Sequence, residues 1–277
     1  MLAVDAAGGE RTSTAPRRAR AMLWNYTPAA ILVILTIAAW EIVCRALNVP
    51  SYLWPEPSVI ARGFYNDIGL LSTAAWITMR EVIYGFAIAI VAGLGIGTAL
   101  HLSPTLRRAV YPILIASQSV PTVVLAPVLV IVMGFSIWPK LAIIALFTFF
   151  PIVVNTVDGL GSVDPEYIRM MLTLDASRWA IFRRVEFPAA LPLIFSGARI
   201  GATYAAIGAV FGEWSGSSGG LGYQMQQAQG QLETPLVFEA VLLVTWIAVF
   251  LFVIVSVTER IVIPWAHTNA SGGASGT

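Results

Sequence analysis

Charge is scarce in this sequence: Asp, Glu, Lys and Arg together make up 11% of 277 residues and the formal net charge is +1. Such a chain has no basic face for nucleic acid, whose backbone is held by many Lys and Arg contacts. Cysteine occurs once, as Cys44, so neither a disulfide framework nor a thiolate metal cluster is available, and Cys44 reads as a small packing residue. The two histidines, His101 and His267, are far apart, which leaves no metal pair and no Ser-His-Asp constellation to argue for. A Gly-rich phosphate loop of the G-x-x-x-x-G-K-[ST] kind is also missing, so the sequence supplies no ATP site and no cofactor site of its own.

What is abundant is apolar surface. Apolar residues are 57% of the chain, and they come in runs near or above the length that crosses a bilayer. The expectation is an all-α integral membrane protein, because backbone groups in lipid must bond within their own segment. About six spans are read: near Pro28 to Leu47, Trp76 to Leu102, Val110 to Met133, Leu141 to Val157, Leu191 to Phe211 and Leu236 to Ile263. A secretory signal is the alternative for the first run; its length, Glu41 and the lack of a nearby cleavage site favour a retained span.

Basic residues set the orientation, since Lys and Arg stay cytoplasmic. Arg11, Arg17, Arg18, Arg20, Arg107, Arg108, the four arginines after the fourth span and Arg260 fall on one side if the spans alternate. Arg62 and Lys140 fall on the other, and the loop 212–235 has no Lys or Arg. Both termini are therefore expected in the cytoplasm of a multi-pass cell-membrane protein. Residues 1–27 and 266–277 read as disordered ends around a membrane domain over 28–265.

Several local patterns refine this domain. The segment after the first span is Pro-rich, with Tyr52, Leu53, Trp54, Phe64 and Tyr65 suited to the headgroup level, and reads as an extended stretch leading to a short surface helix. Gly85, Ala89, Gly93 and Gly97 recur every four residues, as do Gly197, Gly201, Ala205 and Ala209, so each series forms a small-residue seam for close helix packing. The third span holds Pro112, Pro121 and Pro127 and must be kinked or opened. Gln118, Ser119 and Thr122 surround Pro121, and these four are the candidates for a translocation path; a local cap at the kink is the alternative for Ser119 and Thr122.

The polar loop at about 158–190 is the most informative segment. Asp164-Pro165 is a helix start, giving a first helix from Pro165 to about Leu174. Ser177 caps a second, from Arg178 to about Glu186, which Pro188 should limit. On the second helix Trp179, Phe182 and Val185 share a face fringed by Arg178, Arg183 and Arg184, a knob suited either to a protein cleft or to an anionic membrane surface.

The stretch DASRWAIFRRVEFPAALP resembles the cytoplasmic coupling loop of ATP-binding-cassette (ABC) importer permeases, whose signature runs E-A-A, three residues, Gly, then a spacer ending in I-x-L-P. Asp175 stands where that family has Gly, and Arg169-Met170-Met171 where it has Glu-Ala-Ala, so the contact of that Glu is not carried over. Asp enters the left-handed region more readily than most residues, so the turn stays feasible. The resemblance covers about Thr78 to Tyr223. It implies a type I (MetI-like) permease whose residues Asp175, Ala176, Ser177, Arg178, Trp179, Phe182, Arg183 and Arg184 dock on an ATPase. It further implies a permease dimer, expected to be a homodimer, two cytoplasmic ATPase subunits that use ATP and Mg, and an extracytoplasmic solute-binding protein. The chain would be a permease subunit and not an enzyme.

Trp40-Glu41 and Pro55-Glu56-Pro57-Ser58 resemble the sulfonate, taurine and nitrate branch of these permeases. Glu213-Trp214 followed by Gly220-Leu221-Gly222-Tyr223 looks most like permeases for heterocyclic vitamins or precursors, such as hydroxymethylpyrimidine or riboflavin. Glu213 and Trp214 are thus candidates to meet the substrate or its delivery protein. Glu41 and Arg199 are the other ionisable residues noted in spans, with a structural role expected for Arg199. An ion-coupled secondary carrier is the rival class, yet inverted repeats and paired midplane charges are not found.

Overall fold

The computed structural model describes residues 15–265, with side chains from residue 27 onward. Helix α1 (Ala15–Ala46) starts inside the 1–27 region expected to be disordered, so that boundary is moved. The expectations for 1–14 and 266–277, including Arg11 and His267, lie outside the described residues, as do the side chains of Arg17, Arg18 and Arg20.

Among the described residues every regular element is helical, with α1 followed by α2 (Pro57–Asn66), α3 (Ile68–Leu102), α4 (Pro104–Ser117), α5 (Thr122–Met133), α6 (Ile137–Leu160), α7 (Pro165–Thr173), α8 (Arg178–Ile181), a π-turn (Phe182–Glu186), α9 (Phe187–Gly216), α10 (Leu221–Gly230) and α11 (Thr234–Val262). Five helices are long and apolar enough to cross a membrane, and a sixth span results if α4 and α5 count as one. The protein is a multi-pass membrane protein.

Helix α6 is the centre of the bundle because two small-residue seams close on it. Gly85, Gly93 and Gly97 of α3 lie against Ile144, Ile152 and Thr156, while Gly197 and Gly201 of α9 lie against Asn155 and Thr148. Each expected seam is therefore a real one, and α3 and α9 sandwich α6. A second set of contacts holds α1 in place: Trp40, Trp54 and Phe238 form an aromatic cluster with centroids 5.7–6.1 Å apart. Glu41 accepts a hydrogen bond from Ser58 N–H at 3.0 Å and pairs with Arg45, so this intramembrane carboxylate serves the N-terminus of α2. Cys44 is buried, as a packing residue would be.

The third span departs from a simple kinked helix. The axes of α4 and α5 meet at 99°. At about 21 and 18 Å, neither reaches across a hydrocarbon core of about 30 Å. Tyr111 and Leu114 of α4 pack with Leu100 and Val157 at the coupling-loop end, whereas Val130 of α5 sits by Gly216 at the far end. The pair therefore connects the two ends of the bundle as one broken span.

Candidate functional site

The coupling loop is built from local capping chemistry. Glu166 N–H donates to Asp164 Oδ1 at 2.9 Å at the start of α7, and Ala180 N–H donates to Ser177 Oγ at 3.2 Å at the start of α8. Between them Asp175 has φ +54°, the left-handed turn that its place in the motif demands. Tyr167, Met170, Leu174 and Trp179 are all more than half exposed. That is an exposed apolar patch, edged by exposed Arg178, Arg183 and Arg184.

Two details differ from the sequence expectation. Phe182 is buried against Leu160, Ala190 and Ile194 and stacks on Trp179 at 5.3 Å, so it supports the knob from below rather than presenting a surface. Pro188 does not end the second helix. Phe187 N–H bonds to Phe182 C=O across the π-turn, and the chain continues as α9 without a break. A proline in the first turn of a helix loses no bond, and the widened turn ahead of it provides that first-turn position. Arg178–Gly216 is consequently one helix of 39 residues that joins the exposed patch to a span.

Beneath this joint lies a carboxylate that sequence reasoning missed. Glu186 is fully buried, with Arg178 Nη1 3.0 Å from Oε1 and His101 Nε2 3.1 Å from Oε2. Its only sequence signal is an acidic residue between Val185 and Phe187, directly after the Arg183-Arg184 pair.

At the far end, Glu213, a candidate to meet substrate, is buried in this structure. It is 1% exposed; Oε1 accepts from Thr78 Oγ1 at 2.6 Å and Oε2 from Gly222 N–H at 2.5 Å. Leu221 N–H donates to Thr78 Oγ1 at 2.8 Å, so two donors in the first turn of α10 are satisfied by side chains of α3 and α9. Gly220 has φ +105° and faces Glu213, a position no other residue fills without strain. The acidic residue and the Gly-Leu-Gly-Tyr run thus form one structural unit. Trp214 points elsewhere, edge-on to Phe211 at 5.3 Å, and is partly exposed.

Lys140, read as a loop charge, instead belongs to the first turn of α6, where it pairs with buried Glu81 and donates to Ser217 Oγ at 3.1 Å. Glu81 and Glu239 are further buried carboxylates that the spans concealed. Arg199 pairs with Glu259, which gives it the structural role expected, though through an ion pair between α9 and α11.

Gln118, Ser119 and Pro121 lie at the α4–α5 break and are exposed, with Thr122 half-buried at the start of α5. Backbone bonds such as Ser119 N–H to Ala116 C=O, 3.0 Å, close the turn. The coupling residues and these path candidates lie on different elements and are not brought together. Among the described residues, no group of His, Cys, Asp and Glu could hold a metal ion.

Comparison with known proteins fits this geometry. Residues 85–267 match the profile of the family described as binding-protein-dependent transport system inner membrane component. The chain is 35% identical to the formylaminopyrimidine transport permease protein ThiX of Halalkalibacterium halodurans, over 85% of this chain and 94% of that protein. It is 32% identical to the riboflavin transport system permease protein RibX of Chloroflexus aurantiacus, over 92% and 96%. The fold is similar to that of a chain in a structure of the MetNI methionine ABC transporter, with TM-score 0.62 and 20% identity over 71% of this chain and 98% of that one. An all-helical bundle with a capped, exposed coupling loop and these relatives lead to one conclusion: the chain belongs to the binding-protein-dependent transport system inner membrane components, the non-enzymatic permease subunits of ABC importers, in which ATP hydrolysis resides in a separate subunit.

Proposed function

We propose that this permease imports a small polar heterocycle, a vitamin or vitamin precursor of the pyrimidine or riboflavin type. It works as a homodimer with two cytoplasmic ATPase subunits and an extracytoplasmic solute-binding protein, and both termini are cytoplasmic. The observation that carries the mechanistic part is the unbroken helix from Arg178 to Gly216. A push on the exposed Trp179 patch is delivered to a span that flanks α6. Gln118, Ser119 and Thr122 at the broken span offer hydrogen-bonding groups to a polar ring in transit, and Trp214 offers a flat apolar face. Glu213 acts behind them by fixing α10.

The substrate class is supported by the two relatives named for formylaminopyrimidine and riboflavin. A sulfonate or taurine reading has its own support in a relative named "Putative aliphatic sulfonates transport permease protein SsuC", of Bacillus subtilis, 27% identical over 97% of this chain. Uptake by proteoliposomes containing the permease, its ATPase and its binding protein separates the two. ATP-dependent accumulation of a pyrimidine or riboflavin, and none of an alkyl sulfonate, is the expected outcome. Uptake driven by an ion gradient without ATP would overturn the whole reading.

A further inference from the structure

We propose that Glu186 is a positioning residue that locks the coupling helix to two membrane spans, so that a displacement of α8 is passed on as one movement rather than lost in the loop. The inference rests on the permease reading above and goes beyond it in naming what holds the lever. Three segments converge on this one carboxylate. Arg178 is the first residue of α8, Glu186 is the last residue of the π-turn at the root of α9, and His101 belongs to the last turn of α3. The separations are 3.0 Å from Arg178 and 3.1 Å from His101, on different oxygens.

Physical chemistry makes the choice of Glu informative. A fully buried carboxylate is expensive, and an apolar side chain of similar volume would fill the site without that cost. What the carboxylate adds is direction, because it pairs with one guanidinium on α8 and one imidazole on α3. The tie is needed here. The four residues of α8 belong to the long helix only through the π-turn, where the regular i→i−4 ladder is interrupted. Phe182 secures the joint on its apolar side against Leu160 and Ala190, and Glu186 secures it on its polar side.

Two measurements on the full-length chain test this. In lipid nanodiscs without partners, Glu186→Gln should speed hydrogen exchange of amides 178–187 by about tenfold, with amides of α11 unchanged. In proteoliposomes with the ATPase and binding protein, the same variant should bind ATPase normally yet hydrolyse several times more ATP per solute imported. In the exchange measurement, where no ATPase is present, Arg178→Gln combined with Glu186→Gln should be no worse than Glu186→Gln alone. Parental exchange at 178–187, an acceleration spread equally over α11, or additive effects of the two substitutions would each overturn the tie. If the parental chain shows no ATP-driven uptake, the permease reading fails, and the exchange result still decides the role of Glu186.

Discussion

Thr78 and Glu213, 135 residues apart in sequence, meet in a hydrogen bond of 2.6 Å between α3 and α9. The same Thr78 oxygen takes the Leu221 amide of α10, so one hydroxyl serves both a carboxylate and a helix start. Replacing Thr78 by Val keeps the shape and leaves buried polar groups unmatched, which costs about 1–3 kcal/mol. Thermal unfolding in detergent should show Thr78→Val well below the parent and Thr78→Ser close to it. Equal midpoints for both variants would mean the hydroxyl does nothing there.

Trp179 and Phe182 stack on each other but do different work. Trp179 is exposed, so Trp179→Ala should leave the unfolding midpoint unchanged while abolishing pull-down of the ATPase and ATP-driven uptake. Phe182 is buried, and Phe182→Ala should destabilise the protein by about 3–5 kcal/mol. Retained ATPase binding by Trp179→Ala would refute docking at this patch.

For the path, Gln118→Leu should lower uptake of a pyrimidine or riboflavin in proteoliposomes while assembly with the ATPase persists. The amide is exposed at the α4–α5 break, and exchanging it for an apolar group removes hydrogen bonds worth about 1 kcal/mol each to a passing polar ring. Uptake at the parental rate would place Gln118 on lipid or on a partner helix.

The seams predict a contrast between neighbouring glycines. A Cβ at Gly93 would lie 2.6 Å from Ile152, whereas Gly95 has open space. Gly93→Val should force α3 off α6 and abolish monodisperse expression. Gly95→Ala should be neutral or raise stability by up to about 1 kcal/mol through helix propensity. Size-exclusion profiles and unfolding midpoints of the pair are the check.

Orientation is tested by thiol labelling after Cys44→Ala. Ser218→Cys, on the exposed loop after α9, should react with an impermeant reagent from outside intact cells, and Leu172→Cys on α7 only after lysis. Labelling of both from outside would invert or break the proposed topology.

Much of this was readable from the chain because it is local. Caps at Asp164 and Ser177 act within three residues, and the seams at Gly85 and Gly197 repeat every turn, so sequence spacing carries the information. The 99° bend also announced itself through Pro121, although its size did not, since a proline frees a carbonyl without saying what packs around it. What sequence could not show are pairings across the fold. Glu213 was singled out for its chemistry, but its hydrogen bonds to Thr78 and Gly222 come from residues that sequence spacing does not place beside it. Glu81 with Lys140 and Glu186 with His101 were hidden in the same way, each half being unremarkable until its partner is placed beside it. Pro188 misled because the breaker rule assumes α-geometry ahead of the ring, and here a π-turn precedes it.

The unbroken helix from Arg178 to Gly216 also sets a mechanical gain. A rod of that many residues is about 58 Å long, so a tilt of about 5° about its docking end carries Gly216 sideways by about 5 Å. Because Glu213 grips the first turn of α10, that helix travels with the tip. A small tilt at the coupling-loop end thus becomes, at the opposite end of the helix, a displacement wider than a water molecule.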